Sequence, residues 1–316
     1  MSAGAAAGQV KLIHDAGYYG SDEEFLSLVV PFLIGGLNAG QPTFAVFTEP
    51  KTALLRDALP DPSAVTFFDG EAQYDRPATT LRNYRQLMAA QVAAGARQVR
   101  VAGGPGVRAP WSGWARYEAA LNHVFADFPA WALCPYDTRI TPDYVLADVA
   151  RTHPRLVTGG GKQIVSADYL EPAEFLSSQN CAEPDPLEDS APVMEMVDPA
   201  PGTARRVVES VALACGLLRD EVDDLVAAVH EAITNAFVHG RRPVRLRVWA
   251  GLRRVVVAVT DRGRGPSDPF AGLLPAPSFP NEGLGLWLIH QLCRHVTMSR
   301  DEHGFTIRLV AGGPFF

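Results

Sequence analysis

The sequence predicts two layered units in succession: a doubly wound, mostly parallel α/β layer, then an α+β sandwich with helices on one face of an antiparallel sheet. Three observations carry this. The chain has 316 residues, a length that suggests two domains. Residues 10–170 alternate short apolar runs with helical patterns, whereas the last third pairs alternating strands into hairpins. Between them, residues 177–192 have the composition of neither.

In the first unit the apolar runs are Val10–His14, Thr43–Phe47, Val65–Phe68, Gln98–Ala102 and Ala130–Cys134. Helix patterns fall near 21–38, 51–58, 77–94, 113–127 and 142–151. The runs are apolar on both faces, as parallel strands must be when helices cover both sides of the sheet. Right-handed crossovers then place helices on each face. Residues 177–192, SSQNCAEPDPLEDSAP, hold four acids, three prolines and no basic residue, which reads as a linker. The expected domains are therefore 10–176 and 193–316.

In the second unit, Ala204, Val207, Val208, Val211 and Ala214 fit one amphipathic helix. Val222, Leu225, Val226, Val229, Ile233, Ala236 and Phe237 fit a stronger one, with Asp220 as its N-cap and Gly240 as its stop. Val244–Trp249 and Arg254–Thr260 alternate as a hairpin. Leu284–Leu292 returns to helix, and Val296–Ser299 with Phe305–Val310 closes the chain as a second hairpin.

Bulk properties exclude several classes. The net charge is −7 and no basic block reverses it locally, so no direct nucleic-acid partner is expected. The longest apolar stretch, Phe25–Leu37, is 13 residues and contains Pro31, too short for a span that needs about 20. MSAGAAAGQV lacks a basic start and an apolar core, and reads as a disordered tail rather than a signal peptide. Cys134, Cys181, Cys215 and Cys293 are scattered, as reduced thiols in a cytoplasmic protein would be.

The chemistry-bearing residues concentrate in three fragments: EAITNAFVHG (231–240), DRGRG (261–265) and EGLGL (282–286). Glu231 and Asn235 are four apart and share one helix face, with His239 continuing the polar line. A carboxylate and a carboxamide there can hold Mg²⁺ and orient an attacking oxygen. Asp261 ends an apolar strand and can accept a hydrogen bond from an exocyclic amine, while Gly263 and Gly265 let a base lie close to backbone. Gly283, Leu284 and Gly285 open a helix, where free N–H groups and the helix dipole favour phosphate.

EAITNAFVHG, DRGRG, EGLGLWLI and GFTIRL resemble the N, G1 and G2 boxes and the final strand of the GHKL (Bergerat-fold) ATPases. Within that superfamily they most resemble the bacterial anti-sigma factor serine kinases, over about residues 193–312. The resemblance implies ATP and Mg²⁺ as cofactors, with Mg²⁺ on Asn235, catalytic-base duty for Glu231, adenine recognition by Asp261 and Thr306, and phosphate contact near Gly283 and Gly285. It implies as partner a STAS-type antagonist protein, a sigma factor, or both, and a homodimer is compatible with it. Two features depart from the family. The lid segment between the glycine boxes, SDPFAGLLPAPSFPN, carries no lysine or arginine, and Pro266 stands where an aliphatic residue is usual. Phosphoryl transfer relies on positioned positive charge, so a nucleotide-binding module that sequesters its partner without chemistry is the alternative. A histidine kinase is a further one, but residues 177–203 are too short and proline-rich for a phospho-accepting helical hairpin, and His230 belongs to the N-box helix.

The first unit has no GxxxxGK[ST], and GGGK at 159–162 lacks the spacing of a P-loop. HDAGYYGSDEEFLSLVVPFLIGGLNAGQP, WARYEAALN and CPYDTR resemble the MEDS sensory domain, which is similar to RecA-like α/β folds. The resemblance covers about residues 10–170 and implies a sensory role for a small-molecule ligand. His14, Cys134 and Asp137 are expected at carboxyl ends of strands, the edge where open α/β sheets bind ligands, with Tyr18 and Tyr136 nearby. For metal binding the expectation is negative: His14 and Cys134 read as satisfied rim residues. Trp111 and Trp114 fit packing or pocket walls equally, and Arg116 with Glu118 fits a surface pair.

Overall fold

A computed structural model of the chain describes residues 11–106, 111–158, 161–179, 184–274 and 284–313. The N-terminal tail through Val10, Gly159 and Gly160 of the GGGK segment, Cys181, lid residues 275–281 and Gly283 lie outside them. The chain divides into two compact units, Met1–Phe175 and Leu176–Phe316. Among the described residues no helix is long and apolar enough to cross a membrane.

The first unit runs β1 (Ile13–Tyr19), α1 (Asp22–Asn38), β2 (Thr43–Phe47), α2 (Glu49–Ala58), β3 (Thr66–Asp69), α3 (Gly70–Gln73), α4 (Pro77–Ala93), β4 (Val99–Gly103), α5 (Trp111–Val124), β5 (Ala130–Asp137), α6 (Asp143–Thr152), β6 (Arg155–Val157) and β7 (Gln163–Val165), then α7 (Pro172–Ser178). The strands form one seven-stranded sheet in the order β3-β2-β4-β5-β1-β6-β7. All its pairings are parallel except β6 with β7. Phe25, Val29 and Leu33 of α1 are fully buried with Ala45, Leu133 and Leu55 on one face. Helices α4, α5 and α6 pack with one another around the other. This is the mostly parallel α/β layer that the apolar runs predict.

β1 departs from its expected span. It starts at Ile13 and continues to Tyr19, so His14 lies near its beginning and not at its carboxyl end. Cys134 likewise falls in mid-strand, because β5 runs on to Asp137. The apolar reading stopped at polar residues that prove to be buried and paired. Asp15 is the clearest case: its carboxylate accepts from Arg155 Nε at 2.7 Å, Trp131 Nε1 at 2.7 Å and Gln163 Nε2 at 3.0 Å. Those partners tie β1 to β5, β6 and β7. Burial pushes the Asp15 pKa up despite the guanidinium of Arg155.

The second unit contains β8 (Met194–Val197), α8 (Pro201–Ala214), α9 (Arg219–Val238), β9 (Arg245–Gly251), β10 (Arg254–Asp261), α10 (Leu284–Leu292), β11 (His295–Asp301) and β12 (Gly304–Gly312). Its sheet is antiparallel throughout, in the order β11-β12-β10-β9-β8. Odd-numbered residues of β10 and β12, such as Val255, Val257, Val259, Ile307 and Leu309, join Val222, Leu225, Val229 and Ile233 of α9 in one core. The period of two in the strands and of 3.6 in the helix meet there. Asp220 is not the N-cap of α9. The cap is Leu218, whose N–H donates to Glu221 Oε2 at 2.9 Å, and Asp220 lies in the first turn.

Residues 185–190 are not a free linker. They include a short 3₁₀ turn, Pro186–Asp189, whose Leu187 packs on Trp249, Val256, Ala258 and Val310 on the sheet face away from the helices. Arg254 pairs with Asp185, Arg308 pairs with Glu188, and Trp249 Nε1 donates to the Ser190 carbonyl at 2.9 Å. Two of the acids that looked like linker composition, Asp185 and Glu188, are counter-ions for arginines of the sheet.

Candidate functional site

In the second unit the three fragments converge. A Cβ placed on Gly285 would lie 2.8 Å from Glu231 Oε2 and 3.1 Å from Asn235 Nδ2. The first turn of α10 therefore sits directly against the polar face of α9, and only a glycine leaves room between them. Glu231 and Asn235 are half-buried, and among the described residues Asn235 Nδ2 is shielded without a hydrogen-bond partner. A shielded amide with nothing to bond costs free energy unless a ligand satisfies it. Leu284 is exposed at the start of α10. His239 is the C-cap of α9, exposed, one turn beyond Asn235.

Asp261 ends β10 and is 5% exposed. Its Oδ1 accepts from Gly263 N at 2.5 Å and Arg241 N at 3.0 Å. Among the described residues Oδ2 has no partner, so the carboxylate is held by one oxygen and offers the other. Gly240 makes this possible by close approach: its Cβ would fall 2.4 Å from Asp261 Cγ. Gly240 follows the C-cap of α9, as a helix stop does, and is also a spacing residue. Gly265 adopts φ +69° and turns the chain beside the Phe305 ring.

Thr306 does not join Asp261. Cross-strand partners point to one face, and Asp261 pairs with Phe305 whereas Thr306 pairs with Thr260. The two threonine hydroxyls bond each other at 2.8 Å on the opposite face of the sheet. Phe305 is the residue beside Asp261, an apolar neighbour that the motif reading missed. The described part of the lid, residues 267–274, is a series of turns. Residues 184–200 hold the 3₁₀ turn and β8 rather than a two-helix hairpin, so the histidine-kinase alternative lacks its phospho-acceptor element there.

The first unit has a cavity of about 40 Å³ between the sheet and helices α4 and α5. Water needs roughly 10–15 Å³, so the space suits a few waters or a small organic molecule. Its wall is largely apolar, with Met88, Val101, Leu121 and Phe125, but carries His14, Glu118 and Cys134. The cavity lies against the sheet face, not at the carboxyl edge where the sequence placed it. Asp137 sits at that edge but is engaged by Arg139, whose Nη2 lies 2.6 Å from Oδ2 and 3.1 Å from Asp22. Tyr18 points to α6, where its hydroxyl reaches the Leu146 carbonyl at 3.4 Å. Trp111 donates to Asp148 at 3.0 Å and Trp114 packs on Tyr74 and Tyr117, so both are packing residues.

Glu118 is not on the surface; it is fully buried, as is His153. Burial raises the Glu118 pKa to about 8, against the lowering effect of the Tyr136 hydroxyl that donates to Oε1 at 2.8 Å. Burial lowers His14 to about 4, drives His153 well below its usual value and raises the Cys134 thiol well above its own. All four groups are therefore neutral near pH 7 without a ligand. Neither His153 nor Glu118 was singled out as a site residue from the sequence. Glu118 carried a signal, since it lies on the apolar stripe of α5 with Trp114, Ala115 and Leu121.

Residues 13–154 match the family described as MEDS, the methanogen/methylotroph DcmR sensory domain, and residues 200–311 match the histidine kinase-like ATPase domain. The chain is similar to the serine-protein kinase RsbW of Halalkalibacterium halodurans, 30% identical over 126 residues that cover 34% of this chain and 76% of that protein. RsbW of Bacillus cereus strain AH820 is 29% identical over 115 residues, covering 33% and 71%. The crystal structure of the RsbU and RsbW domains of a Mycobacterium tuberculosis protein aligns with 38% of this chain and 32% of that one, at 18% identity and a TM-score of 0.28, too slight a likeness to carry an argument.

Proposed function

Because the chain belongs, through residues 200–311, to the histidine kinase-like ATPases of the RsbW serine-protein kinase type, we propose that it is an ATP-dependent protein serine/threonine kinase whose N-terminal domain senses a small molecule. The observation that carries this reading is the convergence of Glu231, Asn235 and Gly285 on one space, with Asp261 presenting a free carboxylate oxygen nearby in the motif order.

The residues fit a magnesium nucleotide. Asn235 has an unsatisfied amide, Gly285 leaves a cradle that a Cβ would fill, and Asp261 Oδ2 awaits a donor such as an exocyclic amine. Magnesium ATP would supply the phosphoryl group and neutralise the charge that develops on its transfer. Asn235 would hold the metal through its amide oxygen. Glu231 would accept the proton of the acceptor hydroxyl, orienting it for attack. The acceptor is a serine or threonine on a STAS-type antagonist, and a sigma factor is the competing partner. The protein acts in the cytoplasm, and a homodimer is compatible with this role.

A second reading rests on the lid, which has no lysine or arginine between Ser267 and Asn281. In that reading the domain binds nucleotide and sequesters its partner without chemistry. Incubating the full chain with labelled ATP, Mg²⁺ and a cognate STAS-type protein separates the two. Label on the partner supports the kinase. ATP binding by calorimetry without label transfer supports the binding module, and no ATP binding overturns both.

A further inference from the structure

Four side chains from four separate elements meet in the first unit: His14 of β1, Glu118 of α5, Cys134 of β5 and His153 just after α6. One donor atom from each lies within 4.8 Å of all the others. His14 Nε2 and His153 Nε2 each stand 3.6 Å from Glu118 Oε2, and Cys134 Sγ stands 3.4 Å from His14 Nε2. The histidine–carboxylate separations are too long for hydrogen bonds. They match the edges of a coordination tetrahedron, where donors about 2.0–2.3 Å from a zinc ion lie about 3.3–3.7 Å apart.

The hydrogen-bond pattern fixes which atoms are free. Asn122 Nδ2 donates to the Thr152 carbonyl at 2.7 Å, so its Oδ1, 3.1 Å from His14 Nδ1, must accept. His14 therefore carries its proton on Nδ1. His153 Nδ1 is 2.9 Å from the Val149 carbonyl, which can only accept, so it too is protonated there. Both Nε2 atoms present bare lone pairs to the same point. Tyr136 occupies Glu118 Oε1 and leaves Oε2 facing them. Among the described residues Glu118 Oε2 and His153 Nε2 are buried without a hydrogen-bond partner. Two imidazole nitrogens, a carboxyl oxygen and a thiol thus surround one space, and among the described residues the Cys134–His14 contact is the one hydrogen bond between them. Packing alone gives no reason to bury such a set.

We propose that His14, Glu118, Cys134 and His153 form a binding site for one divalent transition-metal ion of the zinc type. Two imidazoles, a thiolate and a carboxylate are the borderline-soft set that zinc takes. Thiolate and carboxylate together balance the +2 charge, so the loaded site is neutral, as a fully buried site must be. On loading, the Cys134 and Glu118 protons leave to solvent. Asn122, Val149 and Tyr136 orient the ligands from behind, as outer partners of metal-bound histidine and carboxylate do. The ion would tie β1, β5, α5 and the end of α6 together along the wall of the small-molecule cavity. The proposal is independent of the kinase reading.

The test uses the full chain, stripped with chelator and reloaded with Zn²⁺ or Co²⁺ alone. One equivalent of metal should survive gel filtration. The cobalt form should show tetrahedral visible bands and a near-ultraviolet sulfur-to-cobalt charge-transfer band. Cys134→Ser should abolish that band, although Cys181, Cys215 and Cys293 remain. Asn122→Ala, which keeps all four donors, should bind about 10–100-fold more weakly. Wild-type protein that retains no metal overturns the proposal, as does a charge-transfer band that persists in Cys134→Ser. If Cys134→Ser does not fold, the affinity of Asn122→Ala decides, and affinity equal to wild type overturns the proposal.

Discussion

The two units present their polar clusters in opposite ways. In the C-terminal unit Glu231 and Asn235 are half-buried on one helix, and Asp261 is held by backbone N–H groups of nearby loops. In the N-terminal unit Glu118 and His153 are fully buried, and the four clustered side chains come from positions up to 139 residues apart, Asn122 and Thr152 locking them from behind. The open arrangement suits a ligand that enters, reacts and leaves. The closed one suits a ligand that stays, because desolvating a charged group without a permanent partner costs several kcal/mol. The difference teaches that one chain can leave one set of polar groups half-open to solvent and close another away from it entirely.

The comparison is broken most sharply at Glu231. Glu231→Ala should lower phosphoryl transfer by about 10²–10⁴-fold while leaving ATP affinity near wild type. Labelled transfer to the antagonist, with calorimetry beside it, checks both. Transfer equal to wild type would remove Glu231 from base duty, whereas undetectable transfer by wild type with an authentic partner would leave the open site as a binding surface only.

A smaller effect is expected at Asp261. Asp261→Asn should weaken ATP binding by roughly 1–3 kcal/mol, because an amide whose oxygen keeps the two backbone N–H contacts presents an NH₂ donor at the other position and cannot accept from an exocyclic amine. Isothermal titration with ATP measures it, and unchanged affinity would take the base-recognition role away from this residue.

The closed unit is tested by removing it. A fragment beginning at Pro184 keeps Asp185, Leu187 and Glu188 on the sheet, which one beginning at Val193 would strip away. Sensory control predicts that the fragment and the full chain differ in ATP turnover or antagonist binding by about 1–3 kcal/mol of coupling once the sensed ligand is present. Identical behaviour across candidate small apolar molecules would make the first unit a passive platform.

The smallest effect concerns pH. Burial lowers the His295 pKa to about 4, with Arg254 and Arg308 adding to the lowering and Asp185 opposing it. The unfolded histidine titrates near 6.5, so the unfolded state takes up the proton first. Stability of the C-terminal unit should therefore be full above about pH 6.5 and fall as pH drops toward 4. His295→Gln should flatten that slope in thermal melts between pH 4 and 7, and an unchanged slope would assign acid sensitivity to other groups.

Much of the fold was legible because its signals are local. Apolar runs of β2, β4 and β5, the helical stripe of α9 and the alternation in β10 each announce themselves within a few residues. The three-residue strands β6 and β7 and the edge strand β8 did not, since they owe their conformation to a neighbouring strand rather than to their own pattern. The acidic stretch 177–192 misled for the same reason: its Asp185 and Glu188 are satisfied by arginines more than 60 residues away.

For the sites, the sequence by itself determined what contiguous spacing can encode. Glu231 and Asn235 share a helix face because four residues make about one turn, and Asp261 reaches backbone because glycines follow it. Only the tertiary structure decided the rest. Strand register put Phe305 beside Asp261 and turned Thr306 to the other face, since a shift of one residue exchanges the two sides of a sheet. Parallel pairing of β1 with β5 brought His14 to the level of Ala132 and Ala16 to that of Cys134, and α5 and α6 then carried Glu118 and His153 to the same point. Convergence of side chains from four elements is a property of packing, and no window of the sequence contains it.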